Sequence, residues 1–399
     1  MSSAAVKKAV RRVRFGDVVR QVKDQVDPAR AGLDRYVAGE HMDTNDLRLR
    51  RWGEINGNYL GPAFRMRFRP GHVLYGSRRT YLRKVAVAAF PGICANTTFV
   101  LEPNDLSALL PEFLPFLMQT EAFNAHSIKQ SKGSVNPYVN FSDLAWWEFF
   151  LPPLAQQRRL VMLFQRVEDA LAALADAEIS SERMRRSTLV HAFRPRRGSA
   201  DEFPHHWVVR RVGEVGDVQL GQQRHPKYES GENVRPYLRV ANVMDGWIDL
   251  SDVLEMHFPI ADLAKFELVP GDILLNEGQS TELVGRSAIY RGEVLGCCFQ
   301  KTLLRYRASK SLRPEFVQAF FQHCLYTGQF ARMAVQTTSM AHLTAIRFEQ
   351  MLIPLPPIRE QVGIAERNES LGQAVRVIRR RRDQLHTVKS QLLAECSVS

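Results

Sequence analysis

Through residues 10–150 the apolar positions come in short runs cut off by turn chemistry: 85–90 (Val-Ala-Val-Ala-Ala-Phe) stops at Pro91-Gly92, and 97–101 stops at Glu102-Pro103. Runs of that length with Pro and Gly at their borders predict strands. The period then changes. Over 111–123 the residues Phe113, Phe116, Leu117 and Phe123 lie broadly on one helical face, which predicts a helix. The second half of the chain behaves alike, with strand-like runs at 237–240 and 301–306 and a helical run at 314–325. Each half is therefore expected to be a mixed α+β domain.

Two other stretches have a different character. No glycine or proline occurs from 154 to 194, and Leu160, Leu163, Val167, Ala170, Leu174, Ala177, Ser181, Met184 and Thr188 step by three and four, the signature of a heptad seam. The last segment repeats the pattern with Ile364, Asn368, Leu371, Val375, Ile378, Arg382, Leu385, Lys389 and Leu392, although Gly363 and Gly372 weaken its start. A helix of about 38 residues is about 57 Å long. Small residues on the first seam against larger ones on the second predict that the two helices pack together. Arg183, Arg185, Arg186 and 379–382, all arginine, read as a solvated face or a docking surface.

The chain is written twice. Leu151-Pro152-Pro153-Leu154-Ala155-Gln156-Gln157 returns as Leu355-Pro356-Pro357-Ile358-Arg359-Glu360-Gln361. Pro70-Gly71-His72-Val73-Leu74 answers to Pro270-Gly271-Asp272-Ile273-Leu274, and Pro111-Glu112-Phe113 to Pro314-Glu315-Phe316. Three matches in one order, with an offset drifting from 200 to 204, describe two copies of one fold with small loop insertions. Two units imply pseudo-symmetry rather than an array. With the order domain, helix, domain, helix, equivalent helices lie side by side only if they are antiparallel. The expected fold is thus α/β (mixed α+β): two pseudo-twofold-related globular domains separated by a long antiparallel two-helix coiled coil. Its parts are a first domain over 1–154, a helical spacer over 155–195, a second domain over 196–357 and a second helix over 358–399.

Composition narrows the function. The 399 residues carry a formal net charge of +12, and a basic surface favours phosphate-bearing partners because binding releases their counterions. Nucleic acid is the leading partner class, ahead of a membrane surface. No apolar run reaches the roughly 18 residues of a membrane span, and 1–14 is basic without the apolar segment of a leader. The five cysteines show no Cys-x-x-Cys spacing, so neither a zinc site nor a disulfide framework is expected, and a reducing cytoplasm is the natural setting.

Catalytic signatures are missing. There is no P-loop, no Gly-x-Gly-x-x-Gly and no Glu-x-Lys; Asn136-Pro137-Tyr138 lacks the second proline of an amino-methyltransferase loop. No metal and no cofactor is expected in this chain. What remains are polar loops at matching places. In the first half, 76–84 supplies Ser77, Arg78, Arg79, Thr80, Arg83 and Lys84; in the second, 276–286 supplies Asn276, Gln279, Ser280, Thr281 and Arg286. Arginine offers a two-pronged donor to guanine, and Asn or Gln pairs with adenine, so different side chains on one scaffold would read different bases. A second loop contributes Lys129, Lys132, Ser134 and Asn136, matched at the same offset by Gln336, Thr337, Thr338 and Ser339; lysines and backbone amides there suit phosphates. Arg65, Arg67 and Arg69 alternate as the wet face of a strand would, and Tyr36, His41 and Trp52 fit either core or contact.

This constellation resembles the specificity subunit of type I restriction-modification systems. The resemblance rests on the paired Leu-Pro-Pro-x-x-x-Gln segments, each closing an α/β domain and opening a long helix, and on Tyr237-Leu238-Arg239-Val240-Ala241-Asn242-Val243 with Gly246-Trp247-Ile248-Asp249-Leu250. It implies two target recognition domains gripping a split double-stranded DNA site. It further implies two modification subunits that methylate adenine with S-adenosylmethionine, and ATP- and Mg-dependent restriction subunits, in a bacterial or archaeal cytoplasm. The chain itself would be non-catalytic. It departs from the pattern in that the first domain lacks the Leu-Arg-Val-Ala-Asn run and Thr337 stands opposite Gly133. Two other classes stay open: a self-contained DNA methyltransferase or endonuclease, and a two-domain protein-binding adaptor.

Overall fold

A computed structural model describes residues 11–55, 60–194, 203–228, 231–337 and 340–398. The chain forms two compact units, Met1–Ala175 with Arg381–Ser399, and Asp176–Arg380.

In the first unit, one antiparallel sheet runs in the order Val19–Val22, Thr98–Pro103, Val73–Gly76, Val85–Val87. A second runs Gly53–Glu54, Arg35–Val37, Gly92–Ala95, Phe64–Phe68, and its inner pair is parallel, with Tyr36 opposite Ile93. Val73–Gly76 is buried along its whole length, whereas Phe64–Phe68 alternates: Met66 and Phe68 point inward and Arg65 outward. Arg67 and Arg69 lie 2.7 and 3.7 Å from the Asp24 carboxylate. Phe15, Tyr75, Phe123 and Trp147 fill the core, each buried aromatic contributing about 1.5–3 kcal/mol.

The second unit repeats this plan. Its four-stranded sheet is Gly216–Leu220, Leu303–Ala308, Ile273–Asn276, Ser287–Ile289; its mixed sheet is Leu254–His257, Val234–Leu238, Cys298–Phe299, again with one parallel pair, Tyr237 opposite Cys298. A two-stranded ribbon closes each unit: Arg11–Arg14 with Glu148–Leu151, and Val208–Arg211 with Leu352–Leu355. The mixed α+β duplication read from the sequence is what the chain forms, with one strand fewer in the second unit's mixed sheet among the described residues.

The repeated Leu-Pro-Pro-x-x-x-Gln segment now has a physical explanation. Its Leu ends the ribbon, and the prolines, which have no N–H to donate, end pairing and start a helix. Buried Gln157 then reaches back: its Oε1 accepts from the Leu110 amide at 2.9 Å, and its Nε2 donates to the carbonyls of Ala108 and Pro152, each at 2.8 Å. Gln361 does the same to the Arg313 amide at 2.9 Å and to the carbonyls of Ser311 and Pro356 at 3.1 and 2.9 Å. Only a side chain with one acceptor and one donor pair satisfies all three backbone groups.

Two sequence expectations are corrected. The helix expected over 111–123 is two helices, Leu114–Leu117 and Glu121–Lys129, because Thr120 caps the second and its hydroxyl accepts from the Phe123 amide. The two long helices are Leu154–Ala192 and Ile358–Val398, and they run antiparallel within each unit. In the first unit Lys389 meets Glu168; in the second Arg379 meets Glu178 and Glu182 while Gly372 lies by Arg185. The second helix buries its expected seam wholly or in part. On the first helix the seam is displaced by one residue. Val161, Phe164, Glu168, Leu171, Glu178, Glu182, Arg185 and Leu189 face inward, and Leu163 and Met184 are 42% and 59% exposed. An apolar count chose the wrong register because the true one carries charges.

Candidate nucleic-acid interface

The polar loops of the first half come together. Arg78 bridges Tyr138 in antiparallel fashion, and Tyr138 exchanges backbone hydrogen bonds with Lys132 at 2.8 and 2.9 Å. The result is a small three-stranded platform whose hairpin tip, 133–137, turns on Gly133 at a φ of 90°. Arg79 donates from Nε to the Asn136 side chain at 2.8 Å and from its amide to the Pro137 carbonyl at 2.6 Å. Arg79 and Arg83 both adopt left-handed backbone, φ 52° and 49°, around the tight turn Thr80–Leu82. Such strain in non-glycine residues concentrates at functional sites.

Among the nominated residues, Arg78, Arg79, Lys129, Ser134 and Asn136 are exposed on this platform. Lys132, also exposed, sits 2.9 Å from Asp143, and this hydrogen bond is the main reason the Asp143 carboxyl titrates below the usual carboxylate range. Arg83 grips Glu121 with both nitrogens at 2.7 and 2.6 Å, and Lys84 donates to the Gly39 carbonyl. Ser77 is buried and bonded to the Thr97 carbonyl, and Thr80 is buried beneath the turn. These last four build the platform rather than face outward.

The second unit has the same device. Strands Gly278–Gln279, Ala341–His342 and Val335–Gln336 form a three-stranded sheet, with Gln279 and Gln336 both opposite Ala341. The Glu277 carbonyl accepts from the Leu343 amide at 2.8 Å, anchoring loop to hairpin. Gln336, Thr337 and Thr281 are exposed; Gln279 and Ser280 are half-buried, and the Gln279 Oε1 accepts from the Ser280 amide. Thr337 turns back onto the Met340 carbonyl at 2.8 Å; Thr338 and Ser339 lie outside the described residues. Asn276 is placed elsewhere: it is fully buried, and neither side-chain polar atom has a hydrogen-bond partner. Arg286 is half-buried, its Nε is unpartnered, and burial holds its pKa below the ordinary arginine value.

Several residues at these platforms escaped the sequence reading. Val135 is 82% exposed at the first hairpin tip, and Tyr81 in the loop and Tyr138 in the hairpin are also exposed. Apolar surface of this kind suits thymine methyl groups and sugar edges. In the second unit His342 faces Glu277. Arg185 and Arg379, read above as a solvated or docking face, are not one. Arg185 is 4% exposed and 2.8 Å from Asp245, and Arg379 ties the two long helices through Glu178 at 2.6 Å and Glu182 at 3.0 Å. Arg183, Arg186 and Arg380 remain exposed. Tyr36 packs on His41 and Phe64, and Trp52 stacks under Arg35 at 4.4 Å.

Among the described residues no group of His, Cys, Asp and Glu is placed to hold a metal ion, and no helix is long and apolar enough to cross a membrane.

Residues 204–387 match the model of the family described as the type I restriction modification DNA specificity domain. The chain is 24% identical over 194 residues to the putative type I restriction enzyme MjaX specificity subunit of Methanocaldococcus jannaschii, covering 48% of this chain and 45% of that protein. It is 24% identical over 283 residues to the type I restriction enzyme EcoKI specificity subunit of Escherichia coli K12, covering 66% and 60%. The matches thus span about half of these relatives' lengths. The crystal structure of the type I restriction-modification S subunit from M. genitalium superposes with a TM-score of 0.60 at 12% identity, covering 98% of this chain and 96% of that one, and so shares the fold.

Proposed function

We propose that this chain is a type I restriction-modification specificity subunit that reads a bipartite double-stranded DNA target with one half-site per unit and leaves the chemistry to partner subunits. The observation that carries this reading is the pair of equivalent platforms. Each unit folds a loop and a distant hairpin into one three-stranded surface, and the two surfaces differ in their side chains: Arg78, Arg79, Lys129 and Asn136 in the first, Gln279, Gln336 and Thr337 in the second. One scaffold with two side-chain sets is what reading two different half-sites requires. Arg and Asn present hydrogen-bond patterns for guanine and adenine, and lysine neutralises phosphate. Ser134, Ser280, Thr281 and Arg286 complete the candidate contact set, and Thr338 and Ser339 join it from the sequence alone.

In this reading two modification subunits bring S-adenosylmethionine, and restriction subunits bring ATP and Mg, to a complex in a bacterial or archaeal cytoplasm. Exposed apolar residues of the first long helix, Met162 and Leu163 in the first unit and, separately, Ile179 and Met184 in the second, offer them docking surface. The test is binding of the purified chain, with its modification partner, to duplexes from a randomised pool across a salt series. A split consensus and a steep fall of affinity with salt are expected. A flat salt response with no consensus, or robust methyl transfer by the chain alone, would overturn the reading, the latter in favour of a self-contained enzyme.

A further inference from the structure

Within the second unit, a chain of buried polar groups runs from the long helices to the rim of the DNA-reading loop. It begins at Arg185 on the first long helix. The Arg185 guanidinium donates to Asp245 at 2.8 Å and to the Tyr326 hydroxyl at 2.6 Å, and Glu182 lies 3.2 Å away. Asp245 also accepts from the Tyr326 hydroxyl, and its other oxygen accepts from Gln322 Nε2 at 2.6 Å. Gln322 in turn accepts from Asn368 of the second long helix at 2.8 Å. Three side chains, Arg185, Tyr326 and Gln322, thus converge on the Asp245 carboxylate, and Glu182 and Asn368 extend the network along the two long helices.

The turn is built to present that carboxylate. The Met244 amide donates to the Trp247 carbonyl at 2.9 Å, and Gly246 takes a φ of 82°, where a Cβ would come within 2.8 Å of the Gln322 amide nitrogen. The next link leads outward. The Gly246 amide donates to the Ser287 carbonyl at 2.9 Å, and Gln318 clasps that same carbonyl and the Ser287 hydroxyl at 2.9 and 3.1 Å. Ser287 follows Arg286, whose carbonyl accepts from the Asn276 amide at 2.9 Å. Burial of the Arg286 guanidinium lowers its pKa, and the Asp245 charge opposes that shift only in part.

We propose that Asp245 is a positioning residue for DNA reading by the second unit: it locks the strand start at Ser287 to the long helices and holds Arg286 at the edge of the loop. Asp245 itself touches no DNA. The inference rests on the recognition function proposed above. It assigns to the helix pair a part in base selection by this unit, carried through hydrogen bonds rather than through spacing.

The experiment uses the full chain with its modification partner, and duplexes carrying the selected consensus with each half-site varied in turn. The half-site whose preference Arg286→Ala alters is the one assigned to the second unit. Asp245→Asn is expected to lower discrimination at that half-site about tenfold, to leave the other half-site unchanged, and to leave the salt dependence unchanged because no phosphate contact is lost. Combined with Arg286→Ala it should add little further loss. Tyr326→Phe, which keeps the ring and removes one hydroxyl, should show the same pattern about two- to threefold, and it carries the test if hydrogen exchange shows the second unit of Asp245→Asn to be unfolded. Wild-type discrimination in a folded Asp245→Asn or Tyr326→Phe chain, equal loss at both half-sites, or full additivity with Arg286→Ala would overturn the proposal. Absence of any consensus for the wild-type chain would sink the recognition function itself, and is seen before a variant is made.

Discussion

The turn at Asp245 has a counterpart in the first unit, and the two are held differently. At the equivalent place Lys389 reaches the Asn45 carbonyl at 3.4 Å and Gln119 donates to it at 3.0 Å. Lysine stands where the second unit has Arg185, a backbone carbonyl where it has a carboxylate, and Phe123 where it has Tyr326. Asn368, which satisfies Gln322, is matched by Phe164, which stacks on Phe116 at 4.6 Å and cannot donate; the Gln119 Oε1 is accordingly left without a partner. The first unit keeps a cavity of about 360 Å³ lined by Asn45, Gln119 and Lys389, whereas the cavity that Arg185, Gln322 and Asn368 line is about 20 Å³. One backbone plan therefore tolerates either a loosely gripped or a more densely cross-linked junction. The choice is made by a few side chains that no strand or helix pattern constrains.

Removing the central cation should separate the units most sharply. Arg185→Met leaves the half-buried Asp245 without its cation, while Glu182 keeps Arg379, and is expected to destabilise the second unit by about 3 kcal/mol. Lys389→Met strands only Glu168 and should cost less. Peptide-resolved hydrogen exchange reads each unit separately; equal losses in the two variants would contradict the comparison.

Acid should distinguish the units next. His323, packed between Phe193 and Phe320, has its pKa lowered by burial from 6.5 to about 4, and the first unit has Thr120 at the matching position. The unfolded chain then takes up the proton before the folded one. Stability is fully present above pH 6.5 and is lost as pH falls toward 4, amounting to about 3 kcal/mol. Exchange protection in the second unit should decline across that window, and His323→Phe should abolish this component. An unchanged acid profile in that variant would assign the decline to other groups.

The smallest contrast concerns the paired glutamines. Gln322→Met leaves both Asp245 and Asn368 short of a partner and should cost about 2–3 kcal/mol, whereas Gln119→Met also removes an orphaned acceptor and should cost about 1 kcal/mol or less. Matching thermal shifts for the two would show that the orphan carries no penalty.

Much of this molecule was legible in its sequence. The duplicated Leu-Pro-Pro-x-x-x-Gln segment marked the strand-to-helix junctions because proline acts locally, on its own backbone and its neighbour's. The candidate loops were placed by their polarity between strands, but that the hairpins containing Lys132 and Gln336 join the loops containing Arg78 and Gln279 is visible only in the folded chain. Burial was less legible. Asn276 and Arg185 are polar side chains that composition assigns to the surface, yet both are buried. Val135, Tyr81 and Tyr138 are apolar or aromatic and exposed, which hides them from a search for charged contacts.

Sequence alone determined the two-copy plan, the strand and helix periods and the positions where the chain turns, since each depends on residues a few places apart. Tertiary structure decided the register of the first long helix and the fates of Arg185, Glu168 and Asp245. A charge leaves water only where a partner from a distant part of the chain meets it, and that meeting is a property of the folded molecule.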